Sequence, residues 1–399
     1  MKRGLLGLCV ALVALVMGLT LAACGGSDDT TGGGSETASE SGGSETGGTG
    51  TAASEEEASA AGGGMKVGFI YVSPLPGSAW SESWDETKTM LEEEDGAETT
   101  VVEPIEENPE VIGVLQDLIR KGNELIFATA FGYQPFVAQV AEENPDVDFV
   151  TIGPWSQETE RPANVSTVYA NLWEVRYLTG MLAANMSKTD TLGFVSAFSI
   201  PSVVAGLNGF ELGAQAVKPE IKTKVVFTSN WYNPPQSTQA AETLAKNGAD
   251  VIAKHEDSTG PILGAEAAGV WAIGSEADTS SQNPNTYLTG SVYNWDSYAQ
   301  EKYEQAEKGT FTGDEVNGDL ASGLVELGPI NSEVPANVVK EVETAESEIK
   351  SGKLVVFTGP ISSNEGEEKL PKGKQWKTPA EVYENSTFLV DGVEGKLQE

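Results

Sequence analysis

The sequence predicts an α/β protein with two doubly wound lobes of similar size. From residue 65 onward, apolar segments of strand length alternate with amphipathic segments of helix length. Residues 125–128 and 251–253 are apolar at every position, as strands covered by helices on both faces must be. The alternation restarts after a long helix predicted at 173–187, so we expect two α/β units joined in series.

Each element is predicted from an apolar run and from the turn residues that bound it. In the first unit the expected strands are 66–73, 98–103, 124–129, 148–152 and 165–170, and the expected helices are 79–95, 108–121 and 134–143. The second unit is expected to contain strands 191–196, 223–228, 250–254, 270–274 and 287–292, with helices 173–187, 201–217, 235–247, 260–268 and 296–309. A strand at 323–328, a helix at 335–351 and a strand at 354–358 complete the prediction.

The amino terminus has the pattern of an export signal. Lys2 and Arg3 precede an uncharged apolar run over 5–23, which is typical of a signal peptide. The run ends in Leu21-Ala22-Ala23-Cys24, which resembles a bacterial lipobox, so Cys24 is the predicted site of lipidation. The alternative for the same run is an uncleaved membrane anchor.

A tether is predicted between Cys24 and the folded part. Residues 25–64 hold thirteen glycines and eight acids, with no base and no apolar side chain larger than alanine. Such a segment buries too little surface to offset its ordering entropy. The predicted divisions are a signal peptide at 1–23, the lipidated cysteine and tether at 24–64, a first lobe at 65–171 with 292–322, a second lobe at 172–291 with 323–363, and a carboxyl-terminal extension at 364–399.

Composition excludes several classes of function. A formal net charge of −36 argues against nucleic acid as a partner, since a polyanion would be repelled. The single histidine disfavours histidine-based metal or triad chemistry, and no cysteine follows Cys24. No glycine-rich phosphate loop follows a strand. We therefore expect no catalytic residues, no metal and no cofactor.

The loops that follow the predicted strands are rich in aromatic residues. Ligands of open α/β sheets bind at the carboxyl ends of the strands, and five of the eight tryptophans follow such ends. Aromatic faces stack on flat ligands, while nearby acids and amides can pair with amino and hydroxyl groups. The expected ligand is flat and largely uncharged. The candidate binding residues are Trp80, Trp84, Phe131, Gly132, Tyr133, Trp155, Trp231, Asp257, Glu276, Asn294 and Trp295.

Several segments in order resemble one family. The chain is similar to the basic membrane lipoprotein (BMP) family of ABC-transporter substrate-binding proteins, which bind purines and nucleosides, at 175–184, 200–210, 229–234, 248–258, 269–274 and 390–396. The resemblance implies a type I periplasmic-binding-protein fold, with two lobes joined by a hinge and the ligand clamped between them. It also implies a lipid-anchored protein on the extracytoplasmic face of the cell membrane that delivers a purine to ABC permease subunits without catalysis. A monomer is expected.

By position, the resemblance assigns roles to individual residues. Trp80 or Trp84 resembles the aromatic residue of the first lobe that sandwiches the base, and Trp231 that of the second lobe. Asp257 resembles the acid that faces the ligand, and 131–133 match the pocket loop after the third strand. The loop at 77–84 is closer to the branch that binds free purine bases than to the nucleoside branch.

Other interpretations stay open from sequence alone. His255 is either a ligand contact or a polar loop residue, and Asp257 could instead cap the helix that follows it. The same fold would serve a sensory receptor for another small polar ligand such as a sugar. A third hypothesis is a nucleoside hydrolase that uses Asp257, Glu276 and Asp278, which the absence of a nucleophile motif disfavours.

Overall fold

The structure, a computed structural model, describes residues 63–157 and 160–398. The predicted signal peptide, Cys24 and nearly all of the predicted tether lie outside the described residues. Across the described ranges, no helix is both long enough and apolar enough to cross a membrane.

Strands and helices alternate along the chain. The strands are β1 (Lys66–Ile70), β2 (Glu98–Val102), β3 (Leu125–Ala128), β4 (Asp148–Ile152), β5 (Val165–Ala170), β6 (Thr191–Ser196), β7 (Lys222–Phe227), β8 (Val251–His255), β9 (Trp271–Glu276), β10 (Tyr287–Tyr293), β11 (Glu315–Gly318), β12 (Val325–Leu327), β13 (Phe357–Thr358), β14 (Ile361–Ser362), β15 (Glu368–Leu370), β16 (Gln375–Trp376) and β17 (Val393–Glu394). The helices are α1 (Ala79–Glu94), α2 (Glu110–Arg120), α3 (Gln134–Glu143), α4 (Leu172–Met186), α5 (Pro201–Val217), α6 (Pro234–Lys246), α7 (Gly260–Ala268), α8 (Asp296–Glu307), α9 (Ala336–Lys350) and α10 (Pro379–Asn385).

Two sheets with the same internal strand order form the two lobes. The first sheet has the order β11-β5-β4-β3-β1-β2 and is parallel throughout. The second has the order β12-β10-β9-β8-β6-β7-β17, in which β12 runs antiparallel to β10. Both lobes thus contain the 2-1-3-4-5 arrangement of doubly wound sheets, whose ligands bind at the carboxyl ends of the strands near the switch point. The predicted fold class is confirmed.

The central strands of both sheets are buried on both faces, as expected for parallel strands connected by helices. Every residue of β3 and of β8 is buried, because helices cover both faces of each sheet. In the first sheet, Phe69 and Phe127 stack across neighbouring strands with ring centroids 4.8 Å apart. The chain crosses between the sheets after β5, β10 and β11, so several connections lie at the junction of the lobes.

The carboxyl-terminal part differs most from the sequence prediction. The strand predicted at 354–358 is reduced to the two residues of β13, and β11 was not predicted at all. The segment predicted as an extension, 364–399, holds β15, β16, α10 and β17. Because β17 pairs with β7, this segment is part of the second sheet at its edge.

Candidate functional site

A cavity of about 300 Å³ lies between the two lobes at the carboxyl ends of their strands. Its walls come from the carboxyl ends of β1 to β10 and the segments that follow them, together with α10. The residues that line it are Val72, Trp80, Glu107, Ala130, Phe131, Ile152, Gly153, Pro154, Tyr169, Ile200, Pro201, Ser202, Val203, Trp231, His255, Asp257, Glu276, Tyr293 and Tyr383. The wall is mostly apolar and aromatic with a few convergent polar groups, which is typical of small-molecule sites.

Trp80 is the main aromatic residue that the first lobe contributes to the cavity. It lies in the first turn of α1, which begins after Ser78, whose hydroxyl accepts a hydrogen bond from the Ser81 amide at 3.2 Å. The Trp80 indole Nε1 donates to the Thr129 carbonyl at 2.7 Å, and its ring meets that of Tyr293 edge to face at 5.4 Å. The ring is therefore held in one orientation before any ligand arrives.

Trp84 and Trp295 are fully buried behind this wall and do not line the cavity. Their rings stack at 4.6 Å with an interplanar angle of 8°, and Trp295 stacks on Tyr293 at 4.5 Å. Positions 80 and 84 share a helix face, because residues four apart are neighbours on a helix. The structure separates them by depth: Trp80 reaches the cavity, and Trp84 lies beneath it.

Asp257 connects the two lobes from within the cavity. Its Oδ2 accepts a hydrogen bond from the Ser73 hydroxyl of the first lobe at 2.6 Å. Its carbonyl accepts from the Ala79 amide at 2.8 Å, where α1 of the first lobe begins. Burial raises the pKa of the Asp257 carboxyl well above its usual range, and the nearby Glu276 raises it further. Both effects disfavour the charged form of this carboxyl, which accepts hydrogen bonds and, when it holds a proton, can also donate one.

Glu276 ends β9 and belongs to a buried charge network. Its φ of 81° is a left-handed conformation for a residue other than glycine, which costs free energy and is common at binding sites. Its Oε2 lies 3.4 Å from Lys254 Nζ, and Lys254 also donates to the Glu256 carbonyl at 2.5 Å. Burial raises the pKa of Glu276, whereas Lys254 and Arg176 oppose the shift.

Arg176 lies in α4 and is completely buried. Its Nη2 donates to the Ser275 hydroxyl at 2.6 Å, and the guanidinium stands 5.4 Å from the centroid of the Phe194 ring. Burial lowers its pKa to about 10, so it remains a cation at neutral pH. Arg176 and Lys254 together supply the positive charge that balances the acids of the second-lobe wall.

His255 lines the cavity at the end of β8. Burial lowers the pKa of its imidazole well below 6.5, and the cations Arg176 and Lys254 lower it further. The ring is therefore neutral at physiological pH. Within the described ranges its Nδ1 makes no hydrogen bond.

The structure places the other candidate residues in different positions. Phe131 and Trp231 line the cavity, and Phe131 keeps 46% of its surface exposed. Tyr133 is buried, and its hydroxyl donates to the Ile105 carbonyl. The Gly132 amide donates to Glu107 Oε1 at 2.7 Å. Gly132, Tyr133, Trp155 and Asn294 are not among the residues that line the cavity.

Three tyrosines on the cavity wall were not among the predicted residues. Tyr169 and Tyr293 come from β5 and β10, and Tyr383 comes from α10. The strand-end rule that selected Trp155 and Asn294 also applies to Tyr169 and Tyr293, since both lie at the carboxyl ends of their strands. No sequence pattern pointed to Tyr383, because the segment that carries it was predicted to be an extension outside the lobes.

The cavity can hold a flat, uncharged ligand. Aromatic rings offer stacking surfaces, while the Asp257 carboxyl, a neutral imidazole and phenol hydroxyls offer both donors and acceptors. The cations nearest the cavity are already paired with acids or buried behind the wall. In the part of the chain that the structure describes, no group of three or more His, Cys, Asp and Glu side chains could hold a metal ion.

Known proteins resemble this chain over most of its length. A family model described as ABC transporter substrate-binding protein, PnrA-like, matches residues 65–365. A purine-binding protein of Brucella abortus is 35% identical over 335 residues, which cover 84% of this chain and 94% of that protein. A putative ABC transporter glucose-binding protein of Haloferax volcanii is 30% identical over 335 residues, 84% of this chain and 81% of that protein.

Solved structures share the fold. A solute-binding protein of an ABC transporter system from Conexibacter woesei superposes with a TM-score of 0.62 at 24% identity, covering 73% of this chain and 97% of that one. A solute-binding protein of Aeropyrum pernix gives a TM-score of 0.65 at 18% identity, covering 75% of this chain and 93% of that one. At these identities the likeness establishes the two-lobed fold alone.

Proposed function

The chain belongs to the PnrA-like (Bmp) family of ABC transporter substrate-binding proteins, and from that premise we propose that it captures a purine base or purine nucleoside between its lobes. The observation that carries the proposal is that Trp80 and the buried Asp257 line one cavity, with the pKa of the Asp257 carboxyl raised by burial. A purine needs both features, because it presents a π-face and an edge of donors and acceptors. The purine-binding relative from Brucella abortus supports the same ligand class.

Stacking supplies the first part of the proposed binding energy. Trp80 and Trp231 lie on the wall of the cavity, one from each lobe, and Phe131 adds a half-exposed ring. Stacking of a base on an aromatic side chain contributes about 1–3 kcal/mol per base. The indole of Trp80 is oriented by its bond to Thr129, so little ordering entropy is lost when a base stacks on it.

Polar contacts supply the second part. The Asp257 carboxyl can accept from an amino group, and its raised pKa favours the protonated form that donates to a ring nitrogen; the neutral His255 adds a second contact. No phosphate is expected on the ligand, since Lys254 is paired with Glu276 and Arg176 is buried and does not line the cavity.

Binding is proposed to couple to closure of the lobes. Ser73 and Ala79 of the first lobe contact Asp257 of the second, so the same residue faces the ligand and joins the lobes. A ligand that contacts both walls favours the closed arrangement through its differential affinity for that state. The closed face is what ABC permease subunits would recognise on the extracytoplasmic side. The protein performs no catalysis in this account, and it acts as a monomer.

We also propose that Cys24 carries the lipid that anchors the protein to the membrane. The support is the lipobox-like Leu21-Ala22-Ala23-Cys24 and the glycine-rich segment that follows it. Stable anchoring takes more than one acyl chain, which a diacylglyceryl cysteine provides. The wild-type protein is expected in the membrane fraction with an acyl-bearing amino terminus by mass spectrometry. A Cys24→Ser variant that remains equally membrane-bound would contradict this.

Isothermal titration calorimetry tests the ligand. The purified protein, freed of carried-over ligand by unfolding and refolding, is titrated with adenine, hypoxanthine, adenosine, guanosine and glucose. We expect saturable one-to-one binding of at least one purine. Asp278→Ala is the control for variants of Asp257, because Asp278 is exposed and does not line the cavity.

A sugar ligand is the second candidate. The observation that favours it is the putative glucose-binding relative from Haloferax volcanii, at 30% identity over the same length. Sugars also stack on aromatic rings and pair with carboxyl groups, but they present no extended π-face. Tight binding of glucose with no binding of any purine would show that the ligand is a sugar and not a purine.

A further inference from the structure

The carboxyl-terminal segment 366–398 completes the wall of the cavity. The family model ends at residue 365, so this segment lies outside the part of the chain that the model matches. It contributes Tyr383, from α10, to the lining of the cavity. Tyr383 therefore touches the cavity from outside the range that the family model matches.

Aromatic contacts hold Tyr383 between the two lobes. Its ring meets Tyr169, at the end of first-sheet strand β5, edge to face at 5.6 Å. It also meets Trp173 of α4, the helix that leads into the second lobe, at 5.2 Å. A complete capping box, Thr378 with Glu381, begins α10. The phenol of Tyr383 is therefore positioned by packing and has little freedom to turn away.

The rest of the segment is bound firmly to the second lobe. Asn208 of α5 donates to the Phe388 carbonyl at 2.9 Å and accepts from the Val390 amide at 3.0 Å, both buried. The Gln398 side chain donates to the Ser229 hydroxyl at 2.7 Å, two residues before the cavity residue Trp231. Strand β17 pairs with β7. The segment thus behaves as part of the lobe, and it carries α10 to the cavity.

The hydroxyl of Tyr383 is buried and interacts with the Tyr169 hydroxyl, but it makes no hydrogen bond of ordinary geometry with the described residues. A buried hydroxyl with incomplete hydrogen bonding costs free energy, so such a group at a cavity wall favours a further partner from the ligand. Burial raises the pKa of Tyr383 well above 10, and the neighbouring phenols of Tyr169 and Tyr293 raise it further. The group therefore remains a neutral donor throughout the physiological range.

We propose that Tyr383 is a specificity-determining residue that hydrogen-bonds the ligand through its phenol hydroxyl, at the end of the cavity where the two lobes join. The inference rests on the proposed capture of a purine, whose ring nitrogens and carbonyl or amino substituents offer the matching group. Tyr383 closes this end of the cavity with Tyr169 and Tyr293, one phenol from each lobe. Removal of the hydroxyl alone should lower the affinity for purines that hydrogen-bond to it and leave the affinity for other purines unchanged.

The test compares Tyr383→Phe and Tyr383→Ala with the wild type by calorimetry, using adenine, hypoxanthine, adenosine and guanosine. Tyr383→Phe keeps the ring packing, and we expect about a tenfold rise in Kd for the best-bound purine, with an altered ratio of Kd values between purines. Tyr383→Ala should weaken binding further. Tyr177→Phe, a half-buried tyrosine of α4 away from the cavity, is the control and should change no Kd by more than about twofold.

The outcomes separate the two proposals. If the wild type binds a purine and Tyr383→Phe binds all four ligands within about twofold of it, the role of Tyr383 is overturned while the proposed function stands. If the wild type binds no purine, the purine function fails, and the same variants are titrated with glucose. A tenfold loss for glucose would then support the role of Tyr383, and unchanged binding would reject it. Thermal melts establish that each variant is folded.

Discussion

The two lobes share a strand order but bring different chemistry to the cavity between them. The first lobe contributes mainly apolar and aromatic groups, led by Trp80 and Phe131, at the ends of β1, β3 and β4. The second lobe contributes His255, Asp257 and Glu276 at the ends of β8 and β9, with Lys254 and Arg176 buried behind them, whereas Glu107 is the acid that the first lobe brings to the wall. Topology therefore decides where the wall residues stand, and side-chain identity at those places decides what each wall can recognise.

Among the variants of the two walls, Asp257→Ala should cause the largest loss of purine affinity. It removes both the proposed ligand contact and the hydrogen bond to Ser73, and the affinity for the best purine should fall about a hundredfold, or about 2.7 kcal/mol. Because burial disfavours the charged form of the Asp257 carboxyl and asparagine keeps hydrogen-bonding groups at this position, Asp257→Asn should retain binding within about fivefold. Calorimetry on both variants and on Asp278→Ala checks this. Equal losses for Asn and Ala would mean that a charged carboxylate is required.

Trp80→Ala should cause the next largest loss of affinity. Compared with a variant of Trp84, it distinguishes residues that line the cavity from residues of the core behind it. Loss of a stacking surface should raise Kd about thirtyfold, or about 2 kcal/mol, with a small effect on stability. The matched variant Trp84→Phe should do the reverse, because Trp84 is fully buried and stacks on Trp295. We expect a lower melting temperature and a Kd within about threefold of the wild type. Weaker binding in Trp84→Phe than in Trp80→Ala would reverse the assignment.

The elements were largely predictable from sequence because most strands are buried on both faces. Strand β8 reads Val-Ile-Ala-Lys-His and is covered throughout, so its apolar run stands out. Strand β11 reads Glu-Val-Asn-Gly and is mostly exposed at the edge of its sheet. Only its pairing with β5, brought about by the chain's return from the second lobe, makes it a strand. Tertiary pairing of this kind leaves no local pattern to detect.

The site was predictable only in part, for a related reason. The strand-end rule found Trp80, Phe131, Trp231, Asp257 and Glu276, all of which line the cavity. The rule predicts at which end of a strand a residue lies but not how deeply its side chain is buried. It therefore also selected Trp84 and Trp295, which are fully buried. Residue 383 follows α9 by four short strands, β13 to β16, and no sequence periodicity extends over that distance.

The buried acids of the second lobe should also make its stability depend on pH. Glu211 of α5 accepts hydrogen bonds from Thr223 at 2.5 Å and Gln215 at 2.9 Å, and burial raises its pKa from 4.5 to about 7. The folded protein thus keeps this proton up to about pH 7, whereas the unfolded chain releases it near 4.5. Unfolding releases a proton in that window, so the free energy of unfolding falls as pH rises through it.

Glu211→Gln should reduce this dependence of stability on pH. The expected change in free energy is smaller than those expected for Asp257→Ala and Trp80→Ala. The variant should lose about 1–2 kcal/mol of the difference in stability between pH 5 and pH 8 that the wild type shows. Denaturant unfolding at both pH values measures it. The exposed Glu220→Gln serves as the control and should leave the difference unchanged. An unaltered pH dependence in Glu211→Gln would show that the proton belongs to another group.

A crystal structure with the best-bound purine would show the ligand's position and contacts. We expect the ring to lie in the cavity between the lobes, stacked on Trp80 or Trp231, with its edge hydrogen-bonded to Asp257. The tryptophans would then hold the face of the ligand and the second-lobe acid its edge. A purine bound outside this cavity, or bound within it with no contact to Asp257 and no stacking on either tryptophan, would overturn the proposed site.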